Sequence, residues 1–140
     1  MTPARRRPAA LGALVVVVVA GLIVSRGLPS SPATDIAGDA LYAVAVYTGL
    51  VLLLPRARRG AIALAAAGWC GAVELLQLTG VPATLAERMP PVALVLGTGF
   101  DARDLAVYAA AVLVVSSVDA VVGARLLPGE RSSAEVRRRE

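Results

Sequence analysis

The sequence predicts an all-α membrane protein: a four-transmembrane-helix bundle with both termini cytoplasmic and a long outer loop before the last helix. Three observations carry this. Of 140 residues, 57% are hydrophobic and 17% charged, too little polar surface to coat a soluble domain of this size. The apolar residues are Ala, Val and Leu in long uncharged runs, where a soluble fold would be broken by charge every few positions. The bases, all Arg, cluster at the edges of those runs, as membrane topology requires. They do not stripe a polar helix, which argues against nucleic acid as a partner.

Eighteen uncharged residues separate Arg7 from Arg26, enough for a first span over 8–25 with Pro8 and Ser25 at its ends. A cleaved signal peptide is the competing reading, with Arg5, Arg6 and Arg7 as a basic start and Ser31-Pro32-Ala33 as the cleavage site. The length of the run and Pro32 inside the site favour a retained helix. A second span covers 36–54, carries Asp39 and stops at Pro55 before Arg56, Arg58 and Arg59. The third, 60–78, has Glu74 and Gln77 near its end, and its Ala67, Gly68, Gly71 and Ala72 offer a surface for close helix approach. The fourth, 105–127, is interrupted by Asp119 and closed by Arg125. Residues 1–127 thus read as one domain. Residues 128–140 read as a basic cytoplasmic tail, disordered and topogenic, with binding of anionic lipid or a partner as the alternative.

Arginine placement orients the bundle. Eleven of the fourteen lie in the amino-terminal segment, the loop after the second span and the carboxyl tail; only Arg26, Arg88 and Arg103 fall in the other two loops. Basic residues near span ends stay preferentially in the cytoplasm. Loops 26–35 and 79–104 are therefore expected outside. Within the second, Met89 to Phe100 is uncharged but too short to span, and Pro90-Pro91 discourages a helix at its start. This stretch either lies on the membrane surface or dips in against the bundle.

With this topology the polar residues meet in the outer leaflet. Asp39 sits about one turn into its helix with Tyr42 a turn further on nearly the same face. Glu74 and Gln77, three apart, arrive at a similar depth from the third span. Asp101 and Asp104 are again three apart at the outer start of the fourth, on one face if the helix begins that early, and Tyr108 continues the stripe. Buried charges are costly in a membrane unless they face the interior and find partners. On the outer side Asp35, Asp39, Glu74, Glu87, Asp101 and Asp104 face only Arg26, Arg88 and Arg103. Such carboxylates must protonate, pair with Arg88 or Arg103, or meet a cation or ligand donors. The plainer alternative is polar glue between helices, about 0.6 kcal/mol per interaction.

Other features carry less. No His is present, which excludes histidine-ligated zinc hydrolases and Ser-His-Asp triads. No metal or cofactor is expected. Cys70 stands alone and reads as a small buried side chain. Asp119 reads as structural, snorkelling or pairing with arginines of the inner loop. Gly97-Thr98-Gly99 lacks the Gly-Lys-Ser of a phosphate loop and reads as a tight turn.

The ordered set Ser25-Arg26-Gly-Leu-Pro29, Gly38-Asp39-Ala-Leu-Tyr42 with Tyr47, Glu74-Leu-Leu-Gln77-Leu78, Arg88, Val95-Leu96-Gly97-Thr-Gly99-Phe100 and Asp104-Leu105-Ala-Val-Tyr108 resembles a bacterial small integral membrane family, catalogued as domain of unknown function 2809. The resemblance covers about residues 10 to 125. The Glu-x-x-Gln helix, loop Arg and Asp opening the last helix are also similar, distantly, to VanZ-like proteins. The chain departs at Ala111 and Pro91, where the pattern carries Gly. The resemblance implies a fold and a set of suspect residues, Asp39, Glu74, Gln77, Arg88, Asp101, Asp104 and Tyr108, and no reaction.

The leading expectation is a multi-pass protein of the bacterial cytoplasmic membrane, with no recognisable catalytic constellation and its oligomeric state open. Beyond contact with membrane lipids, its outer polar pocket would bind a lipid-linked or cell-envelope component. In that pocket Asp39, Glu74 and Asp104 accept hydrogen bonds and Arg88 neutralises them or contacts a phosphate. The alternatives are a proton-coupled small transporter, disfavoured by carboxylates off the midplane, and a structural or assembly role beside another membrane protein. An intramembrane hydrolase pairing Asp39 with Asp104 has no local sequence support.

Overall fold

The computed structural model describes residues 3–97 and 99–125. The tail 128–140 and the last residues of the expected fourth span lie outside them. Four long helices, α1 (Pro3–Gly27), α2 (Pro32–Leu53), α3 (Arg59–Gln77) and α6 (Ala102–Arg125), are each long and apolar enough to cross a membrane. Between α3 and α6 run two short helices, α4 (Val81–Arg88) and α5 (Ala93–Leu96), joined through a 3-10 turn at Pro90–Val92. A bilayer core offers backbone groups no water, so helices, which satisfy their own N–H and C=O groups, are the natural product of such runs.

Two helices start earlier than the apolar runs suggest. In α1 the three arginines are helical and Pro8 lies inside the helix, because Arg6 finds partners in the bundle. In α2 the start is set by a capping box: the Ser31 hydroxyl accepts the Thr34 N–H at 3.2 Å and Thr34 Oγ1 accepts the Ser31 N–H at 2.8 Å. Pro32 occupies the first turn, where a missing N–H costs nothing. Replacing Ser31 by Ala is expected to lower stability by about 1 kcal/mol, seen as a lower midpoint in a mixed-micelle denaturation series. Helix α3 ends where Gly80, at φ 72°, donates its N–H to the Gln77 carbonyl at 3.0 Å, a left-handed residue closing the helix.

Pro90-Pro91, expected to discourage a helix at the start of this stretch, hold only the 3-10 turn, where no backbone N–H is needed, and the α-helix α5 begins after them at Ala93.

Helix α2 packs on all three other long helices, whereas α1 packs over any length on α2 alone. The core is a set of four-residue-spaced stripes: Ala43, Tyr47 and Val51 on α2, Ile62, Ala66 and Cys70 on α3, Tyr108 and Val112 on α6. Side chains four apart share a helix face. Asp39 therefore continues the α2 stripe, Glu74 the α3 stripe and Asp104 the α6 stripe, which is why these acids face the bundle. Cys70 is fully buried. The close-approach surface on α3 is made by Ala66 and Cys70, both buried, while Gly68 and Ala72 face outward. The buried stripe runs 62–66–70–73–77, one helical phase away from those glycines.

Candidate functional site

Two polar centres sit at opposite ends of the bundle. The first surrounds Asp119. Its Oδ2 accepts Arg6 Nη2 at 2.6 Å and the Tyr47 hydroxyl at 2.9 Å, with Arg59 Nε at 3.3 Å. Arg6 Nη1 also donates to the carbonyls of Pro55 and Ala57, at 3.1 and 3.0 Å. Gly123 is buried beside the Arg59 guanidinium, which a Cβ there would overlap. Asp119 does pair with an arginine of the α2–α3 connection, but its shortest bond is to Arg6. This centre ties α1, α2, α3 and α6 together through one carboxylate oxygen, which takes two hydrogen bonds and an ion pair.

The second centre is built where α2, α3 and α6 bring their acids to the connection 78–101. Glu74 is fully buried, and its Oε1 accepts the Asp101 N–H at 2.6 Å. Gln77 Nε2 donates to the Leu96 carbonyl at 2.7 Å. The Tyr42 hydroxyl donates to the Val95 carbonyl at 2.7 Å and accepts Trp69 Nε1 at 2.9 Å. The Tyr42 and Tyr108 rings lie 6.2 Å apart, tilted by 58°. Three side chains thus hold the backbone of Val95, Leu96 and Asp101 against the bundle, satisfying carbonyls and an N–H that would otherwise be stranded.

Helix α6 begins at Ala102, so Asp101 stands one residue outside it. It caps α6 from outside, its Oδ1 accepting the Arg103 N–H at 2.9 Å, and its carboxylate is about half exposed. Asp104 lies in the first turn of α6, nine-tenths buried, and Asp39 lies against it. Arg103 reaches both Asp101 and Asp104, at 3.4 and 3.6 Å. Arg88 ends α4 exposed, and among the described residues it makes no ion pair. Of the two bases expected to pair with these acids, Arg88 and Arg103, the one beside them is Arg103, although the pocket role had fallen to Arg88; the signal for Arg103 is its adjacency to Asp104.

A cavity of about 580 Å³ adjoins this centre, within the range of roughly 300–1,000 Å³ typical of small-molecule sites. Its lining includes Asp39, Gln77, Asp104 and Tyr108 and, from α1, Val17, Val18, Gly21 and Leu22. Three acceptor atoms around this centre, Glu74 Oε2, Gln77 Oε1 and Asp104 Oδ1, are buried without a hydrogen-bond partner. Unfilled buried acceptors of this kind are uncommon and call for an explanation. Among the described residues no group of three or more Asp, Glu and Cys is arranged to hold a metal ion.

Neither a curated protein nor a solved structure matches the chain. A family model described as a protein of unknown function, DUF2809, matches residues 29–112, a stretch that runs from before the α2 cap through Asp39, Glu74 and Gln77 to Asp104 and Tyr108. The chain therefore belongs to the DUF2809 family.

Proposed function

We propose that this multi-pass membrane protein holds a lipid-linked or cell-envelope component in the cavity beside Asp39, Gln77 and Asp104. The observation that carries the reading is a single cavity lined both by Asp39 and Asp104 and by apolar residues of α1. An amphiphile matches such a lining, its head group beside the two carboxyls and its chain lying along Val18 and Leu22. The arginine distribution supports a bacterial cytoplasmic membrane with both termini inside, which sets this cavity in the outer leaflet. Asp39 and Asp104 accept from the ligand. Glu74 and Gln77 anchor the connection that closes over it, and Arg103 balances part of the charge, in the role first expected of Arg88.

The test is photo-crosslinking in living cells from a benzophenone amino acid placed at Val18. The expected product is an adduct with an envelope lipid or lipid-linked intermediate, lost when Asp39→Asn and Asp104→Asn are added together. That isosteric pair leaves the Glu74 and Gln77 anchors in place, so the folded protein should accumulate normally. Adducts with bulk phospholipid that are indifferent to the pair would sink the reading. An adduct with another membrane protein would establish the assembly role instead.

A further inference from the structure

The end of the bundle opposite the cavity holds seven arginines and a single acid, Asp119, among the described residues. Asp119 is spent on two of them, Arg6 and Arg59. The other five, Arg5, Arg7, Arg56, Arg58 and Arg125, are exposed, and among the described residues they make no ion pair. The tail 128–140 adds four arginines against three glutamates, so its side chains bring no net negative charge.

Placing bases on one side of a membrane requires no contact between the segments that carry them. Here the fold draws those segments together. Arg6 donates to the carbonyls of Pro55 and Ala57 at 3.1 and 3.0 Å, the residues on either side of Arg56. Arg5 and Arg7 flank Arg6 with their side chains turned outward. The start of α1 and the α2–α3 connection are thus fastened at one point, and the charges of Arg5, Arg7, Arg56 and Arg58 stand around it. Like charges gathered in this way repel one another and oppose the compact state unless an anion joins them. The backbone adds to the same field. Helices α1 and α3 both begin here without an acid in the first turn, whereas α2 and α6, beginning at the other end, have Asp35 and Asp104 there. A helix start is the positive end of its dipole.

The depth of the patch selects its partner. All four bases lie at the ends of membrane-spanning helices or in the short link between two of them, level with lipid head groups, and a guanidinium takes a phosphate through paired N–H donors. We propose that this end of the bundle binds the phosphate groups of anionic phospholipids, with Arg5, Arg7, Arg56 and Arg58 as the contacts. The assignment is independent of the cavity at the other end.

The experiment is lipid retention by the full chain, read by native mass spectrometry from nanodiscs of equal phosphatidylglycerol and phosphatidylethanolamine content. Both ends of the bundle meet lipid there, so the direction of insertion does not affect the result. A basic residue at a charged membrane surface contributes about fivefold in affinity. The expected preference for phosphatidylglycerol is about tenfold, brought to near one by Arg56→Gln with Arg58→Gln and largely kept by Arg56→Lys with Arg58→Lys. Arg5→Gln with Arg7→Gln repeats the test on α1, with a several-fold fall expected. Arg26→Gln with Arg88→Gln, away from the patch, should change nothing. None of these variants touches Arg6, Arg59 or Asp119. Equal retention of the two lipids by the unaltered chain overturns the proposal. So does a preference that survives both glutamine pairs on the patch, or one lost with Arg26 and Arg88. A preference abolished by inorganic phosphate, but not by sodium chloride of equal ionic strength, overturns it in favour of a site for free phosphate.

Discussion

Replacing Asp119 by Asn is expected to cost about 3 kcal/mol of bundle stability. The carboxylate accepts from Arg6 and Tyr47 and is ion-paired with Arg59, and Arg6 is only 6% exposed. Without the negative charge, a buried guanidinium keeps its bonds to the Pro55 and Ala57 carbonyls but loses its counter-ion. Breaking one partner of a buried pair is far more damaging than removing both. The double variant Arg6→Met with Asp119→Leu should therefore be closer to wild type than Asp119→Asn alone. The check is reversible unfolding in mixed micelles of increasing dodecyl sulfate content. A loss below about 1 kcal/mol for Asp119→Asn would mean that Arg6 re-pairs elsewhere and that the centre does not hold the bundle.

The second large effect is expected at Gly97. Its φ of 63° lies in the left-handed region, where a β-branched residue is strained, and a Cβ there would overlap the Gln77 amide. Gly97→Val should thus lose the Gln77–Leu96 bond as well as backbone ease, together about 2 to 3 kcal/mol. Gly80 provides the control. It has a similar φ of 72° but open space around it, so Gly80→Ala should cost about 1 kcal/mol from backbone alone. Hydrogen exchange over residues 81–100 separates the two. Gly97→Val should release protection throughout the connection while Gly80→Ala leaves it near wild type. Equal behaviour would show that Gln77 does not hold this segment down.

Much of this was legible because a bilayer imposes a length on apolar runs, and the four runs of this chain meet it. The convergence of Asp39, Tyr42, Gln77, Asp104 and Tyr108 around one cavity was also accessible, since depth along a helix follows from counting residues. Rotation about the helix axis was not. Arg5, Arg6 and Arg7 look alike in sequence, yet Arg6 alone of the three is buried, because helical phase turns it toward Asp119. An apolar helix such as α1 carries almost no polar face from which that phase could be read. The choice of Arg103 over Arg88 has a similar origin. It depends on the path of the connection 78–101, and that path is set by side chains of other helices reaching its carbonyls. Trp69 belongs to the same class: its partner, Tyr42, lies on α2, and nothing near Trp69 in sequence announces it.

The bonds of Arg6 imply an order of assembly. Its carbonyl partners at Pro55 and Ala57 are synthesised soon after it, and α1 packs along its length on α2 alone, so an α1–α2 hairpin can form while the rest of the chain is still being made. Asp119 is separated from Arg6 by 113 positions and emerges with the final helix. The amino end is thus fastened twice, first by two carbonyls within its own hairpin and last by the counter-ion that α6 brings. Until that second fastening, a half-made chain carries Arg6 without the counter-ion that the finished bundle gives it.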